Sequence, residues 1–250
     1  MSLYKLPNDI FTLGLDAQEI SIYAYLCSLP SSLKTLDGAS TISVKQITIG
    51  EKCGIRAVQT VAKIIARLQS KGLVELLCRA VKANRYRGTY RYSVRHLPQD
   101  SGYFFVDRRI FGMLIPRQIL IYLYICKSFS IDKNICWNSY NDLSDLTGMK
   151  RELVIRTVNE LTALHLIVRM RRKARGNHRM FVDNHYQIVF FRKGQIRKGK
   201  EMTRLFSQNN HVGLEKELNH YYCTTLERIC QGISGHFHVC RGSPSDYSHF

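Results

Sequence analysis

Apolar side chains recur at helical spacing in two segments of the chain, and each segment follows a shorter helical run that stops at a glycine. Both longer segments place an apolar residue every three or four positions, the spacing that puts side chains on one face of a helix. These apolar positions are Val58, Val61, Ile65 and Leu68 in the first segment and Val154, Val158 and Leu161 in the second. The glycines, Gly54 and Gly148, suit the turn that ends a helix. The pattern therefore predicts a short helix, a turn and a longer helix, present twice.

An apolar helix is predicted before each of these pairs, and a β-hairpin is predicted after each. The first helices span about 16–30 and 116–130, where apolar positions again recur at helical spacing. The hairpins span 73–94 and 167–189, and each has a turn-rich, basic tip. Three helices followed by a hairpin is the element order of a winged helix. The predicted fold class is therefore mainly α with β-hairpin wings (α+β), arranged as two tandem winged-helix domains plus a basic C-terminal tail.

Changes in composition along the chain predict the domain boundaries. A winged helix-turn-helix domain is expected at 1–97 and a second at 103–191, joined by a Pro- and Gly-containing linker at 98–102. The remaining residues, 192–250, are expected to be a basic extension that is partly helical or disordered. Counted from the glycines, the first copy has one extra residue, so the repeat is structural and not a clean sequence duplication. The alternative is two unrelated helical segments with ordinary core spacing, because short helix patterns recur by chance.

The chain carries a large positive charge, with 37 lysines and arginines against 19 aspartates and glutamates in 250 residues, a formal net charge of +18. Such an excess favours a polyanionic partner, and nucleic acid fits best. An anionic membrane surface fits less well, because the cations lie mostly in the predicted hairpins and not on a basic amphipathic helix. No run of about 18 apolar residues occurs, so no transmembrane helix is expected.

The cysteines are interpreted as reduced thiols, since no secretion signal is recognisable and the expected location is the cytoplasm. Cys27, Cys78 and Cys126 have apolar neighbours and are expected in the core. Residue types that bind zinc recur near the C-terminus, as Cys223, Cys230, His236, His238 and Cys240. Their spacing differs from the usual Cys-x2-4-Cys pairs, so no metal site is predicted.

No catalytic constellation is recognisable in the sequence. Phosphate-binding glycine loops, nucleophile elbows and zinc-protease motifs are not found, and the acidic residues are scattered along the chain. Polymerases and nucleases use clustered carboxylates to hold metal ions. We therefore predict neither an enzyme activity, nor a cofactor, nor a small-molecule ligand.

Candidate DNA-contacting residues lie at the start of each longer helix and on each hairpin. A recognition helix places residues near its start against base edges, where Arg pairs with guanine and Gln with adenine. The candidates on the helices are Arg56, Gln59, Thr60, Lys63, Lys150, Arg151 and Arg156. The candidates on the hairpins are Arg85, Arg87, Arg171, Arg172, Lys173, Arg175 and Arg179. The alternative for the helices is an ordinary solvated face, whereas the like charges on the hairpins would repel one another unless an anion neutralised them.

Two stretches in each copy resemble helix-turn-helix proteins. The opening segments, LPNDIF at 6–11 with EISIYAYL at 19–26 and FVDRRIF at 105–111 with QILIYL at 118–123, are similar to those of proteins from plasmids and mobile elements of Gram-positive bacteria. Residues 49–73 and 143–166 resemble the winged helices of plasmid replication initiators and of phage and bacterial regulators. The resemblance implies duplex DNA binding with recognition helices in major grooves, often as a dimer, so a homodimer is a candidate assembly. Glu152 departs from the pattern, because an acid there would repel phosphate unless it faced a cytosine.

The predicted function is sequence-specific binding of double-stranded DNA, in transcriptional regulation or in replication initiation of a plasmid or mobile element. The sequence leaves these two roles open. Two other classes also stay open. A protein–protein interaction scaffold is one, because fold alone does not fix function. An RNA-binding protein is the other, because basic hairpins with interleaved tyrosines can stack on bases.

Overall fold

The structure is a computed structural model, and all of its described residues lie in the first of two compact units, Met1–Arg197. The described residues are 3–31, 33–34, 38–81, 87–130, 133, 135–174 and 177–189. Within these ranges, only the backbone is described for 33–34, 80–81, 87–88, 171–174 and 177–183. The predicted extension at 192–250, with its cysteine and histidine residues, lies outside the described residues.

The same order of elements occurs twice along the described chain. The first half contains β1 (Leu3–Pro7), a 3-10 helix (Asn8–Phe11), α1 (Ala17–Ser28), β2 (Leu33–Lys34), β3 (Ala39–Val44), α2 (Gln46–Cys53), α3 (Val58–Ser70), β4 (Val74–Val81) and β5 (Arg87–Arg95). The second half contains β6 (Tyr103–Asp107), a 3-10 helix (Arg108–Ile110), α4 (Pro116–Lys127), β7 (Phe129–Ser130), β8 (Ile135–Trp137), α5 (Tyr140–Thr147), α6 (Arg151–Ala163), β9 (Ile167–Ala174) and β10 (Asn177–Ile188). The predicted helix pairs and hairpins are therefore present, and each half also begins with a strand and a 3-10 helix.

Three antiparallel sheets join the strands. The first half contributes a sheet of order β2-β3-β5-β4, and the second half contributes one of order β7-β8-β10-β9. The third sheet pairs β1 of the first half with β6 of the second, from Leu3 opposite Asp107 to Pro7 opposite Tyr103. Because its two strands come from different halves, this sheet holds the halves together.

The first long helices of the two halves, α1 and α4, pack against each other in the core. Every residue of α4 from 118 to 126 is buried, as is every residue of α1 from 19 to 26. A helix that is buried around its whole circumference needs partners on every side. The partners of α4 include α1, α5, α6 and β6, and those of α1 include α2, α3, α4 and β1. The α1–α4 pair is thus shared by both halves.

The predicted fold class was wrong. The described residues form a mixed α/β structure with six α-helices and three small antiparallel sheets, and the strands are not confined to hairpin wings. They do not form tandem winged-helix domains, because the β1–β6 sheet and the α1–α4 contact join the halves in one core. Only the α+β part of the prediction is compatible. It failed because the apolar periodicity of one segment does not say which distant segment will cover it.

The segment predicted as a linker, 98–102, forms a turn that is bound to the first half. The side-chain amide of Asn8 donates from Nδ2 to the Ser101 carbonyl at 2.9 Å, and the Asn8 backbone N–H donates to the Gly102 carbonyl at 3.0 Å. Gly102 has a φ of +90°, and a Cβ there would lie 2.9 Å from the Asn8 side chain. The turn is therefore packed against the end of β1.

Gly72 and His165 occupy equivalent places after α3 and α6, and both have a positive φ, +68° and +55°. At each place the next residue donates a backbone hydrogen bond that ends the helix. The Leu73 N–H donates to the Leu68 carbonyl at 3.0 Å, and the Leu166 N–H donates to the Leu161 carbonyl at 3.1 Å. Glycine adopts this conformation without strain, whereas other residues do so at a cost of about 1–2 kcal/mol. We therefore expect His165→Gly to be more stable than His165→Ala by about 1 kcal/mol.

Urea unfolding of both His165 variants measures this difference, and the comparison is fair because both lose the imidazole. Gly72→Ala is the reciprocal control. A Cβ there would meet no atom within 4 Å, so the variant should lose about 1 kcal/mol from backbone strain alone. Equal stability of His165→Gly and His165→Ala would contradict the helix-end geometry.

Candidate nucleic-acid interface

One face of α3 is buried against the core, and the opposite face is exposed. Its buried residues are Val61, Ile64, Ile65 and Leu68. Near its C-terminal end, Arg67 Nη1 pairs with Asp16 Oδ2 at 2.8 Å and Lys71 Nζ pairs with Glu19 Oε2 at 2.9 Å. Asp16 and Glu19 form the capping box that begins α1, so these pairs fix the end of α3 to the core. The chain carries no acidic residue from 54 to 74, so α3 itself is purely cationic.

The turn between α2 and α3 fixes how the start of α3 is presented. Gly54 ends α2 with a φ of +67°, which confirms the predicted helix end. The Ile55 backbone N–H donates to the Gly50 carbonyl at 2.8 Å. A Cβ on Gly50 would lie 2.6 Å from the Ile55 carbonyl oxygen, so the close approach of these backbones requires glycine at position 50. The start of α3 is therefore held by backbone contacts.

An exposed surface covers the start of α3, and it contains all four residues that the sequence predicted there. Its exposed members are Arg56, Ala57, Val58, Gln59 and Lys63, and Thr60 is half-buried. Neither Arg56 nor Lys63 forms an ion pair with another residue that the structure describes. We call these six residues the α3 surface.

Val58 was predicted to be buried, and this was wrong, since 37% of its surface is exposed. Its spacing from Val61 fits the buried face, but Val58 is the first residue of α3 and lies beyond the edge of the core. The sequence carries no signal for this exposure, because helical spacing alone cannot locate the edge of a core. An exposed branched apolar side chain is thereby added to the α3 surface.

The second predicted cluster lies at the start of α6, after the turn at Gly148, which has a φ of +66°. Its members are Lys150, Arg151, Glu152 and Arg156, all of them exposed, and we call them the α6 surface. Arg151 Nε donates to Asn141 Oδ1 at 3.0 Å, which ties this guanidinium to α5. Lys150 and Arg156 have no ion pair within the described ranges, and neither has Glu152.

The buried side of α6 is bound to α4 by a polar cluster. Glu160 accepts hydrogen bonds from Arg117 Nη2 at 2.8 Å and from Gln118 Nε2 at 2.7 Å. The apolar residues of α6 that face the core are Val154, Val158 and Leu161. All four residues of the α6 surface remain exposed, although Arg156 lies only one turn before Glu160 on the helix. Both surfaces therefore belong to helices that are anchored to the shared α1–α4 pair.

The basic hairpins are described only in part. Arg171, Arg172 and Lys173 lie on β9, which is an outer strand of its sheet, while Arg179 lies on β10 and Arg87 on β5. Only the backbone of these five residues is described, and Arg85 and Arg175 lie outside the described residues. The structure therefore places the predicted hairpin cations along the strands without locating their charges.

Two further hairpin arginines make contacts inside the protein. Arg169 Nη1 donates to the Tyr140 hydroxyl and, at 2.8 Å, to Asn159 Oδ1, so it joins β9 to α5 and α6. Arg79 on β4 lies over the ring of Tyr90, with Cζ 4.5 Å from the ring centre. Such a contact is a cation–π interaction. Both arginines therefore position the hairpins.

Of the three cysteines predicted to lie in the core, only one is buried. Cys126 is buried, which confirms the prediction for that residue, and burial raises the pKa of its thiol. Cys27 is partly exposed, and Cys78 on β4 is exposed, so the prediction of a buried Cys78 was wrong. Leu76 and Leu77 beside it are also exposed, so the core does not cover this part of β4, which apolar neighbours in the sequence could not reveal.

Two further searches cover only the part of the chain that the structure describes. No cluster of three or more His, Cys, Asp or Glu side chains able to hold a metal ion occurs among those residues. No helix among them has both the length and the apolar character needed to cross a bilayer.

Comparison with protein-family models finds no match for this chain, and comparison with curated proteins finds no similar protein. The resemblance to plasmid and mobile-element proteins therefore stays a prediction. The α3 and α6 surfaces have to be interpreted from their own chemistry.

Proposed function

We propose that this protein binds double-stranded DNA in a sequence-dependent manner, in transcriptional regulation or replication initiation of a plasmid or mobile element. The observation that carries the proposal is the α3 surface. There, side chains that can hydrogen-bond to base edges and cationic side chains lie exposed at the start of a helix whose other end is bound to α1. An exposed helix start of this kind can enter the major groove, which is wide enough for an α-helix. Such a target would place the protein in the cytoplasm.

The charge distribution supports a polyanionic partner. The formal net charge is +18, and four cations on the two surfaces, Arg56, Lys63, Lys150 and Arg156, have no ion pair to any other described side chain. Unpaired cations on a surface repel one another, and contact with phosphate relieves this repulsion. Binding also releases counterions from the DNA, which favours the complex. Their charges can therefore meet phosphate without first breaking an ion pair to any residue that the structure describes.

Binding should depend steeply on salt. If about five cations contact phosphates, log Kobs should fall with log[KCl] with a slope of about −4.5 for duplex DNA. We expect selection from a random duplex pool to enrich a defined sequence, and fluorescence anisotropy at several KCl concentrations to give this slope on the enriched duplex.

Scrambled duplex and single-stranded RNA serve as competitors in the same assay. Preference for the enriched duplex over both would agree with the proposal. Equal affinity for enriched and scrambled duplexes would contradict sequence dependence, and stronger binding of single-stranded RNA would favour an RNA-binding protein. No binding to any nucleic acid at low salt would favour a protein-interaction scaffold.

A further inference from the structure

The α3 and α6 surfaces differ in chemistry, although the two helices occupy equivalent places in their halves. The exposed residues at the start of α3 are two cations, one amide and two apolar side chains, namely Arg56, Lys63, Gln59, Ala57 and Val58. Those at the start of α6 are three cations and one acid, Lys150, Arg151, Arg156 and Glu152. On duplex DNA the two sets would find different partners.

Val58 and Gln59 suit base edges and not phosphates. The amide of Gln can donate to and accept from adenine through two hydrogen bonds in the major groove. The branched side chain of Val58 carries no charge and is 37% exposed, so it can contact the C5-methyl group of thymine. Burial of such a side chain against a methyl group stabilises the complex, whereas its contact with a phosphate does not.

Lys150 and Arg156 suit phosphates. Both are exposed, and neither is neutralised by an acid within ion-pair distance among the described residues. Arg151 donates a hydrogen bond to Asn141, so its side chain is less free to reach a phosphate. Glu152 lies four residues before Arg156, so its carboxylate reduces the positive potential on this helix without forming a direct pair.

We infer that the two helices make different kinds of contact with duplex DNA. Val58 and Gln59 on α3 recognise an A·T-containing sequence through a thymine methyl group and an adenine edge, and Lys150 and Arg156 on α6 bind phosphates whatever the sequence. This inference rests on the proposed function, since it describes how duplex DNA would be bound.

Two double variants of the full chain separate these roles, V58A/Q59A and K150Q/R156Q. Their affinities are measured by anisotropy for the enriched duplex and a scrambled duplex across a range of KCl concentrations. V58A/Q59A should lower the ratio of the two affinities by about tenfold or more and leave the salt slope unchanged. K150Q/R156Q should lower both affinities by the same factor and make the salt slope shallower by about 2. Circular dichroism confirms that both variants are folded.

A substitution in the DNA tests the thymine contact directly. Uracil lacks the C5-methyl group, so replacing the contacted thymine by uracil should lower wild-type affinity by about fourfold at that single position. The V58A variant should show a smaller loss at the same position, because alanine covers less of the methyl group than valine does. Glu152→Gln should raise the affinity for enriched and scrambled duplexes alike, since it removes repulsion of phosphate.

Failure of this inference can be told apart from failure of the proposed function. If the wild-type protein shows no preference for any duplex sequence, the proposed function itself is wrong. If the wild type does show a preference, three results would overturn the division of roles: V58A/Q59A retains the full preference, K150Q/R156Q changes it, or Glu152→Gln weakens binding of the enriched duplex alone. The last of these would mean that Glu152 contacts a base.

Discussion

Gly54→Ala should destabilise the protein by about 3 kcal/mol, whereas Gly148→Ala should cost only about 1 kcal/mol. Both glycines end the shorter helix of a helix pair, and their φ values are nearly the same, +67° and +66°. A Cβ on Gly54 would lie 2.9 Å from the Ile115 Cα and 3.0 Å from the Leu114 carbonyl oxygen. These are backbone atoms just before α4, so neither can move aside without shifting the second half.

At Gly148 a Cβ would meet no atom within 4 Å, so its replacement by alanine measures the cost of backbone strain alone. The difference between the two variants therefore measures the contact between the α2–α3 turn and the second half. A hydrogen bond from the Gly112 N–H to the Lys52 carbonyl, at 2.7 Å, belongs to the same contact. Urea unfolding of both variants supplies the free energies. Equal losses would mean that the turn does not touch the segment before α4, and would remove one link between the halves.

Local features of this fold could be predicted from the sequence. The helix ends at Gly54 and Gly148 were predicted, because glycine at the end of an apolar run favours the left-handed turn that both adopt. The capping box of Asp16 and Glu19 is equally local, because Asp and Glu at that spacing can satisfy free backbone N–H groups. Each of these signals lies within a few consecutive residues.

Long-range features could not be predicted in the same way. The β1–β6 sheet joins strands of only five residues each, which lie far apart along the chain, and no turn between them specifies the pairing. The apolar run of α4, buried from 118 to 126, did carry a usable signal. A helix that is apolar on every side is usually buried, so this run favours a central helix, but it does not say which elements cover it.

The candidate site was predicted in part. Residue type and helical position located the α3 and α6 surfaces, because charged and amide side chains opposite a buried stripe must face outward. Val58 was missed because apolar spacing continues past the edge of the core. The contacts of Arg169 with Tyr140 and Asn159 were missed because a basic hairpin gives no indication of which arginine turns inward.

Charge reversal of the α6 surface, as K150E/R156E, should lower the affinity for duplex DNA by more than about 100-fold at 0.1 M KCl. At this salt concentration each phosphate contact contributes close to one log unit through counterion release, so loss of two contacts alone accounts for about 60-fold. The two introduced carboxylates add repulsion to that loss. Both positions are exposed, so the variant should remain folded.

The control is R108E/K127E, which changes the net charge by the same amount at exposed positions outside α3 and α6. Arg108 and Lys127 lie over the rings of Tyr4 and Phe11, so circular dichroism first has to show that this variant is folded. If affinity depends on contacts at the α6 surface, this control should lose less than about threefold, because screening weakens charges more than about 10 Å from the DNA at 0.1 M salt. If both variants lose affinity equally, binding reflects only the overall charge of +18, and the α6 surface has no special role. The pair of variants therefore separates a defined phosphate-binding surface from a diffuse attraction, which the sequence and net charge alone cannot do.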